Sequence, residues 1–207
     1  MAVSIRQAKA LLRKDMKTKL SAVPDRLKVI QSQIVIKKVL ALPVFQTSRR
    51  VSVYLSMKSE VSTDALVQHV LNSNKACFIP RYDGVGMSMV RLASWQDYQD
   101  LPETKWKIKQ PPVDEVREDA LDSGGLDVIL TPGVAFTPQG VRCGHGKGYY
   151  DNYLRQCEER GHRPVTVALA FREQICADIP ATEADRNIDY VIYPTSTEIQ
   201  DALKDVT

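Results

Sequence analysis

The chain has 207 residues, which suits one globular domain spanning residues 1–207. Hydrophobic residues make up 43% and charged residues 26%, as in a soluble globular protein, and no apolar run approaches the roughly 18 residues of a membrane helix. The net charge of +3, without a long basic run, is too small to indicate nucleic-acid binding.

The N-terminal segment and the cysteines favour a cytoplasmic protein. The first residues lack the apolar core of a secretory signal peptide. They are basic up to Asp15, which is compatible with a mitochondrial presequence, but their apolar spacing fits a helix of the fold better. No cysteines have CxxC spacing, so reduced thiols are expected at Cys77, Cys143, Cys157 and Cys176.

Two helices are predicted at the start of the chain. Ser4 is a predicted N-cap, and apolar residues follow at helical spacing from Ile5 to Met16. Pro24 is expected at the first position of the second helix, because its fixed backbone angle suits that place. Pro43 is expected to end that helix.

Short apolar runs bounded by turn residues predict the strands that follow. These runs cover residues 50–55, 76–79, 87–92, 127–130, 166–170 and 190–193. A short helix is predicted from Thr63 to Asn72, and residues 94–120 are predicted to form a long irregular connection. Strands that alternate with helices indicate an α/β fold with a mainly parallel sheet flanked by helices.

A ligand site is predicted at one edge of this sheet. Ligands of parallel sheets bind beyond the carboxyl ends of the strands. Charged residues recur just after the predicted strands, among them Glu60, Arg81 and Arg172. A single loop charge is most often solvated, but the coincidence at several strand ends favours a binding site.

The segment 140–151 is predicted to bind phosphate. Three of its glycines alternate with other residues: Gly144, Gly146 and Gly148. Such spacing weakens helix and strand alike but lets backbone N–H groups approach an anion. Arg142 and Lys147 add positive charge, and the pattern turns helical after Gly148, so the loop leads into a helix N-terminus. Asp151, in the first turn of that helix, is a natural position for a carboxylate that holds Mg²⁺.

Better-known motifs do not fit this chain. A Walker A loop would need Gly in place of Val141 and a hydroxyl residue in place of Gly148. The dinucleotide fingerprint fails because Tyr149 stands where its third Gly belongs. No convincing Ser/His/Asp or Cys/His triad can be assembled, and no histidine pair has metal-site spacing.

The segment Gly144–Asp151 resembles the signature of the 5-formyltetrahydrofolate cyclo-ligase family, also called methenyltetrahydrofolate synthetases. Further segments resemble the family in order and spacing along nearly the whole chain, and they are most similar to its animal-type branch. These segments are residues 9–13, 55–60, 78–82, 89–91, 124–127, 131–136 and 168–175.

The resemblance implies a fold similar to that of sugar-phosphate isomerases and CoA transferases. It also implies a reaction, the conversion of 5-formyltetrahydrofolate to 5,10-methenyltetrahydrofolate with ATP and Mg²⁺, releasing ADP and phosphate. The expected protein is a monomer that acts on a small molecule and has no nucleic-acid or membrane partner.

The resemblance also implies roles for individual residues. Lys9 and Arg13 would contact the ATP phosphates, and Arg142 and Lys147 would be the catalytic cations. Asp151 and Asp185 would hold Mg²⁺. The remaining nucleotide contacts would come from the glycine loop and its helix: Gly144, His145, Gly146, Gly148, Tyr149 and Tyr150. The folate contacts would come from Leu55, Glu60, Trp106, His145 and Tyr149.

Two other functions remain compatible with the residues. One is an ATP-independent isomerase or acyl transferase on the same fold, which would need a catalytic carboxylate such as Glu60 but no metal. The other is a non-catalytic protein that binds folate or nucleotide. ADP release with and without 5-formyltetrahydrofolate distinguishes the three.

Overall fold

The computed structural model of the chain describes residues 4–104 and 108–204. The helices in these ranges are α1 (Ile5–Ala22), α2 (Asp25–Leu40), α3 (Pro43–Thr47), α4 (Asp64–Asn72), α5 (Trp95–Asp100), α6 (Tyr149–Glu159) and α7 (Ser196–Lys204). The strands are β1 (Arg50–Ser52), β2 (Ala76–Tyr82), β3 (Met87–Leu92), β4 (Val128–Thr131), β5 (Ala135–Phe136), β6 (Arg142–Cys143), β7 (Val165–Leu169) and β8 (Tyr190–Ile192). None of the helices in the described part of the chain is long and apolar enough to cross a membrane.

Six strands form one sheet in the order β3-β2-β1-β4-β7-β8. All neighbours in it are parallel except β2 and β3, which pair antiparallel at one edge. The carboxyl ends of the parallel strands therefore meet at the same edge of the sheet. β5 and β6 form a separate antiparallel pair that leads the chain from β4 into the glycine loop. The predicted α/β fold with a mainly parallel sheet is confirmed.

Helices cover both faces of the sheet because alternate residues of the central strands point to opposite sides. In β4, Val128 and Leu130 pack with the buried side chains of α1, α2 and α4, whereas Ile129 packs with α6 on the other face. Each such side chain contributes roughly 1.5–3 kcal/mol when it is fully buried. These two layers hold α1 and the start of α6 beside the carboxyl edge of the sheet.

The first helix begins where the sequence predicts. The Ser4 hydroxyl accepts the Gln7 N–H at 3.3 Å, and the Gln7 side chain in turn accepts the Ser4 N–H at 3.1 Å. This capping box satisfies donors that helix geometry leaves free. Met16 and Leu20 are buried, and α1 packs against β5 and the 3₁₀ turn at Arg172–Gln174.

Several boundaries differ from the predictions made from sequence. β2 continues through Pro80 to Tyr82, because β1 has ended beside Phe78 and the missing N–H of Pro80 breaks no ladder bond. β1 is shorter than predicted and ends at Ser52, although Val53 still donates its N–H to the Phe78 carbonyl of β2 at 2.8 Å. The predicted strands at 127–130, 166–170 and 190–193 are each displaced or shortened by one residue.

The helical predictions also need correction. Residues 94–120 are not irregular throughout, since α5 begins after Ser94, whose hydroxyl accepts the Asp97 N–H at 3.0 Å. Pro24 is the residue before α2 and not its first helical residue. α2 ends at Leu40, and Pro43 starts α3. Sequence analysis predicted neither α3 nor α7.

Candidate active site

A cavity of about 550 Å³ opens at the carboxyl edge of the sheet. Its walls come from α1, the ends of β2 and β4, the segment after β1, and the glycine loop with the first turn of α6. This is the edge at which the sequence predicts a ligand site. The lining residues include Lys9, Arg13, Leu55, Glu60, Arg142, Gly144, His145, Gly146, Lys147, Gly148, Tyr149, Tyr150, Asp151 and Asp185.

The conformation of the glycine loop requires glycine at several positions. Gly146 and Gly148 have φ angles of +99° and +69°, in the left-handed region that favours glycine. A Cβ on Gly144 would lie 2.8 Å from Nη1 of Arg142. Gly148 is the N-cap of α6 and provides no side-chain hydrogen bond, so the first N–H groups of α6 remain available for an anion.

Two cations of α1 reach this loop from the opposite wall. The Lys9 ammonium lies 2.6 Å from both carboxylate oxygens of Asp185. Nε of Arg13 donates to the Gly144 carbonyl at 2.8 Å. Lys147 is exposed within the loop itself. Positive charge therefore approaches the same space from α1 and from the loop.

A partly buried ion pair joins β6 to the first turn of α6. Nη2 of Arg142 lies 2.9 Å from Oδ2 of Asp151, and the two side chains are 4% and 22% exposed. The other oxygen of Asp151 accepts the Arg186 N–H at 3.1 Å. Nε of Arg142 is buried without a hydrogen-bond partner among the described residues. A buried donor in this position is suited to a ligand or a water molecule.

Asp185 is held ionised by its neighbours. Partial burial acts to raise the pKa of its carboxyl, but hydrogen bonds from Lys9 and Thr182 bring that pKa below its usual value. Both oxygens face Lys9, and Oδ2 also accepts the N–H and hydroxyl of Thr182. In the structure, Asp151 and Asp185 are thus each neutralised by a cation of the protein.

The two carboxylates suit Mg²⁺ only when other ligands join them. Within residues 4–104 and 108–204, no group of three or more His, Cys, Asp or Glu side chains could hold a metal. Mg²⁺ commonly takes one or two carboxylates and fills its remaining positions with water and substrate phosphate oxygens. The oxygen donors of Asp151 and Asp185 fit that pattern.

The opposite side of the cavity is more apolar and aromatic. The Tyr82 and Tyr149 rings are 4.9 Å apart and tilted by 48°. Burial is the main cause that raises the pKa of Tyr82, so its hydroxyl stays protonated at neutral pH. Leu55 and Ile108 complete this wall. Burial likewise raises the pKa of Tyr150 well above its usual value.

One carboxylate interrupts this apolar wall. The Glu60 side chain is 6% exposed, and its Oε2 accepts the Met57 N–H at 2.9 Å. Its Oε1 lies 3.0 Å from Nε2 of His145, which comes from the glycine loop. The contact between Glu60 and His145 joins the two sides of the cavity.

The structure brings together every described residue to which the family resemblance assigned a role, whereas Arg81 and Arg172, named only for following predicted strands, do not line the cavity. Trp106, which was expected to contact folate, lies outside the described residues. Further residues line the cavity to which sequence analysis assigned no role, although three of them, Met57, Pro80 and Pro132, follow predicted strands: Tyr54, Met57, Pro80, Gly84, Ile108 and Pro132. Pro80 and Pro132 could have been found, because each lies at or next to the carboxyl end of a strand. Ile108 gave no such signal, since it lies in a long connection.

Sequence comparisons identify known proteins that this chain resembles. A sequence profile of the 5-formyltetrahydrofolate cyclo-ligase family matches residues 5–194. The 5-formyltetrahydrofolate cyclo-ligase of Mus musculus is 44% identical over 198 residues, which cover 94% of this chain and 98% of the mouse protein. A probable 5-formyltetrahydrofolate cyclo-ligase of Caenorhabditis elegans is 39% identical over 204 residues, covering 97% of this chain and 99% of the nematode protein.

A solved structure agrees as well. The NMR structure of Aquifex aeolicus 5,10-methenyltetrahydrofolate synthetase superposes with a TM-score of 0.73 at 30% identity, covering 89% of this chain and 88% of the other. The higher identity to the two animal proteins is consistent with the animal-type branch. The chain belongs to the 5-formyltetrahydrofolate cyclo-ligase family.

Proposed function

We propose that this protein converts 5-formyltetrahydrofolate to 5,10-methenyltetrahydrofolate, using ATP and Mg²⁺ and releasing ADP and phosphate. The observation that carries the proposal is the composition of one cavity. A glycine loop with three nearby cations, Lys9, Arg13 and Lys147, forms one side, and an aromatic wall with the single carboxylate of Glu60 forms the other. The phosphates of a nucleoside triphosphate suit the cationic environment, and the rings of a reduced folate suit the aromatic one. The two environments must adjoin for these ligands to react.

The proposed reaction makes the formyl oxygen a leaving group. That oxygen attacks the γ-phosphorus of ATP, and ADP departs. N10 of the folate then attacks the formyl carbon, loses its proton, and closes the ring as the oxygen leaves on inorganic phosphate. Phosphoryl transfer depends mainly on positioning and on neutralising charge. Cations, backbone N–H groups and bound Mg²⁺ meet that need without a nucleophilic side chain.

Each charged residue has a proposed task in this scheme. Lys9 and Arg13 hold the nucleotide phosphates from α1, and Lys147 approaches them from the loop. Arg142 is fixed by Asp151 and by the Pro132 carbonyl at 3.4 Å, and it leaves Nε available to a ligand. Asp151 and Asp185 would hold Mg²⁺, which when bound neutralises phosphate charge.

The folate is proposed to occupy the aromatic side. Leu55 and Tyr149 offer apolar surface to its rings, and Glu60 offers a carboxylate to the N–H groups of the pterin. Trp106 remains a proposed contact. His145 lies between the two ligands, beside Glu60 and within the loop that faces the nucleotide.

A cytoplasmic monomer is the proposed form of the protein. All the residues that line the cavity belong to one chain, so the site needs no second copy. The four cysteines are free, and Cys77, Cys143 and Cys157 are buried, which suits a reducing compartment.

The test is to measure ADP release and the methenyl product together. Both should appear only when ATP, Mg²⁺ and 5-formyltetrahydrofolate are present, in equal amounts. Product without ADP would favour an ATP-independent isomerase or acyl transferase. Ligand binding with neither product nor ADP would leave a non-catalytic binding protein.

A further inference from the structure

The carboxylates that line the cavity differ in the partners that they face. Asp151 faces Arg142 and Asp185 faces Lys9, and lysine and arginine are residue types that ordinarily do not titrate near neutral pH. Glu60 faces His145, and histidine is the residue whose charge ordinarily changes between about pH 5 and pH 8. The strength of this one contact therefore depends on pH in the physiological range.

Glu60 is fixed, whereas His145 can leave it. The Glu60 N–H donates to the Met57 carbonyl at 3.0 Å, and its own carboxylate accepts the Met57 N–H, so a closed turn holds it. The His145 side chain is 46% exposed and lies between Gly144 and Gly146. Its partial exposure allows the imidazole to turn away from Glu60 when a ligand takes its place.

The groups around Glu60 and His145 are cations on one side and neutral hydroxyls on the other. Arg13 of α1, Arg142 of β6 and Lys147 of the loop are cations that line the cavity near His145. On the Glu60 side lie the hydroxyls of Tyr54, Tyr82 and Tyr150. Burial raises the pKa of all three, so they remain neutral throughout this pH range. Glu60 is the carboxylate that His145 contacts.

We propose that His145 is a positioning residue that competes with the pterin N–H groups for the Glu60 carboxylate, and that it competes most strongly when protonated. The inference rests on the proposed function, because the pterin offers neighbouring N–H donors that match a carboxylate. A charge-assisted hydrogen bond is about twice as strong as a neutral one. Imidazolium therefore holds Glu60 at low pH, and neutral imidazole releases it as the pH rises.

The test compares the wild type with His145→Gln. The dissociation constant for 5-formyltetrahydrofolate is measured without ATP from about pH 5.5 to about pH 8. In the wild type it should fall by roughly three- to fivefold as the pH rises, the scale expected for a partly exposed ion pair. In His145→Gln the dissociation constant should not change with pH over this range.

Two further variants sharpen the result. His69→Gln makes the same change on the exposed face of α4, away from the cavity, and should keep the wild-type profile. Glu60→Gln should lose the pH response, because no carboxylate remains for His145. The proposed competition would be wrong if the dissociation constants of the wild type and His145→Gln changed with pH in the same way. It would also be wrong if the wild type bound more weakly at higher pH.

Turnover separates this inference from the proposed function. Methenyl product formation by the wild type, measured with ATP and Mg²⁺, tests the function alone. If product forms and the binding profiles of wild type and His145→Gln run parallel, the function stands and the competition fails. If no product forms, the proposed function fails whatever the binding profiles show.

Discussion

The two sides of the cavity are built on different physical principles. On the proposed phosphate side, the cations and carboxylates pair with each other as Arg142–Asp151 and Lys9–Asp185. On the proposed folate side, aromatic and aliphatic side chains surround the carboxylate of Glu60. The phosphate side should therefore respond steeply to charge changes and to ions, whereas the folate side should respond to shape and to the state of one pair.

The largest effect is expected from Asp151→Asn. The change leaves the Arg142 side chain, 4% exposed, without its counter-charge, and removes a proposed Mg²⁺ ligand. Breaking such a pair costs about 3 kcal/mol of stability, and we expect kcat to fall by about a hundredfold. Chemical denaturation and steady-state kinetics measure the two losses.

A matched control is Asp201→Asn. Asp201 is also ion-paired, to Lys204, but both side chains are largely exposed. Exposed pairs contribute little to stability, so this variant should match the wild type in both measurements. If Asp151→Asn were equally stable and active, the phosphate side would not depend on its buried pair.

Lys147→Ala should impair turnover without loss of stability. Lys147 is exposed in the glycine loop and lines the cavity, so its removal deletes a charge contact but no packing. We expect kcat to fall by about a hundredfold with an unchanged melting temperature. Lys17→Ala, an exposed lysine of α1 outside the cavity lining, is the control. Near-normal kcat in Lys147→Ala would remove Lys147 from the catalytic residues.

Metal and nucleotide should bind cooperatively. In the structure both proposed Mg²⁺ carboxylates are engaged by cations, which phosphate would draw away. With Mn²⁺ as a paramagnetic probe, we expect affinity at least about tenfold higher when a non-hydrolysable ATP analogue is present. Lys9→Met should raise the affinity for metal alone, because Asp185 is released. Equal metal affinity with and without the nucleotide would contradict this coupling.

Arg13→Ala is expected to have the smallest effect of these changes. Arg13 lies on α1 and donates to the Gly144 carbonyl, so it belongs to the phosphate side. Its removal should raise KM for ATP by about tenfold and KM for folate by less, since charged hydrogen bonds contribute roughly that much. A larger effect on KM for folate than on KM for ATP would show that Arg13 contacts the folate and not the nucleotide.

Sequence reasoning predicted the place of the candidate site from local patterns. The spacing of Gly144, Gly146 and Gly148 identifies the loop, and strand ends identify the edge of the sheet. The pairing inside the site could not be predicted in the same way. Lys9 and Asp185 are 176 positions apart, and only the packing of α1 brings them together.

Tertiary context also explains the misplaced boundaries. Pro80 ordinarily ends a central strand, but β2 has no β1 partner at that point, so the strand continues. Residues 53–55 have strand composition, yet β1 ends at Ser52, and Leu55 lines the cavity instead. The contact of Glu60 with His145 joins a turn after β1 to a loop 85 positions later, which periodicity cannot reveal.

The central claim is that one cavity lets the formyl oxygen attack the γ-phosphorus of ATP. Substrate carrying ¹⁸O in its formyl group tests this step directly, with mass spectrometry of the inorganic phosphate. The account predicts one labelled oxygen in the phosphate for each methenyl product formed. Unlabelled phosphate from labelled substrate would show that water hydrolyses the ATP, and it would contradict the roles proposed for Arg142, Lys147 and the two carboxylates.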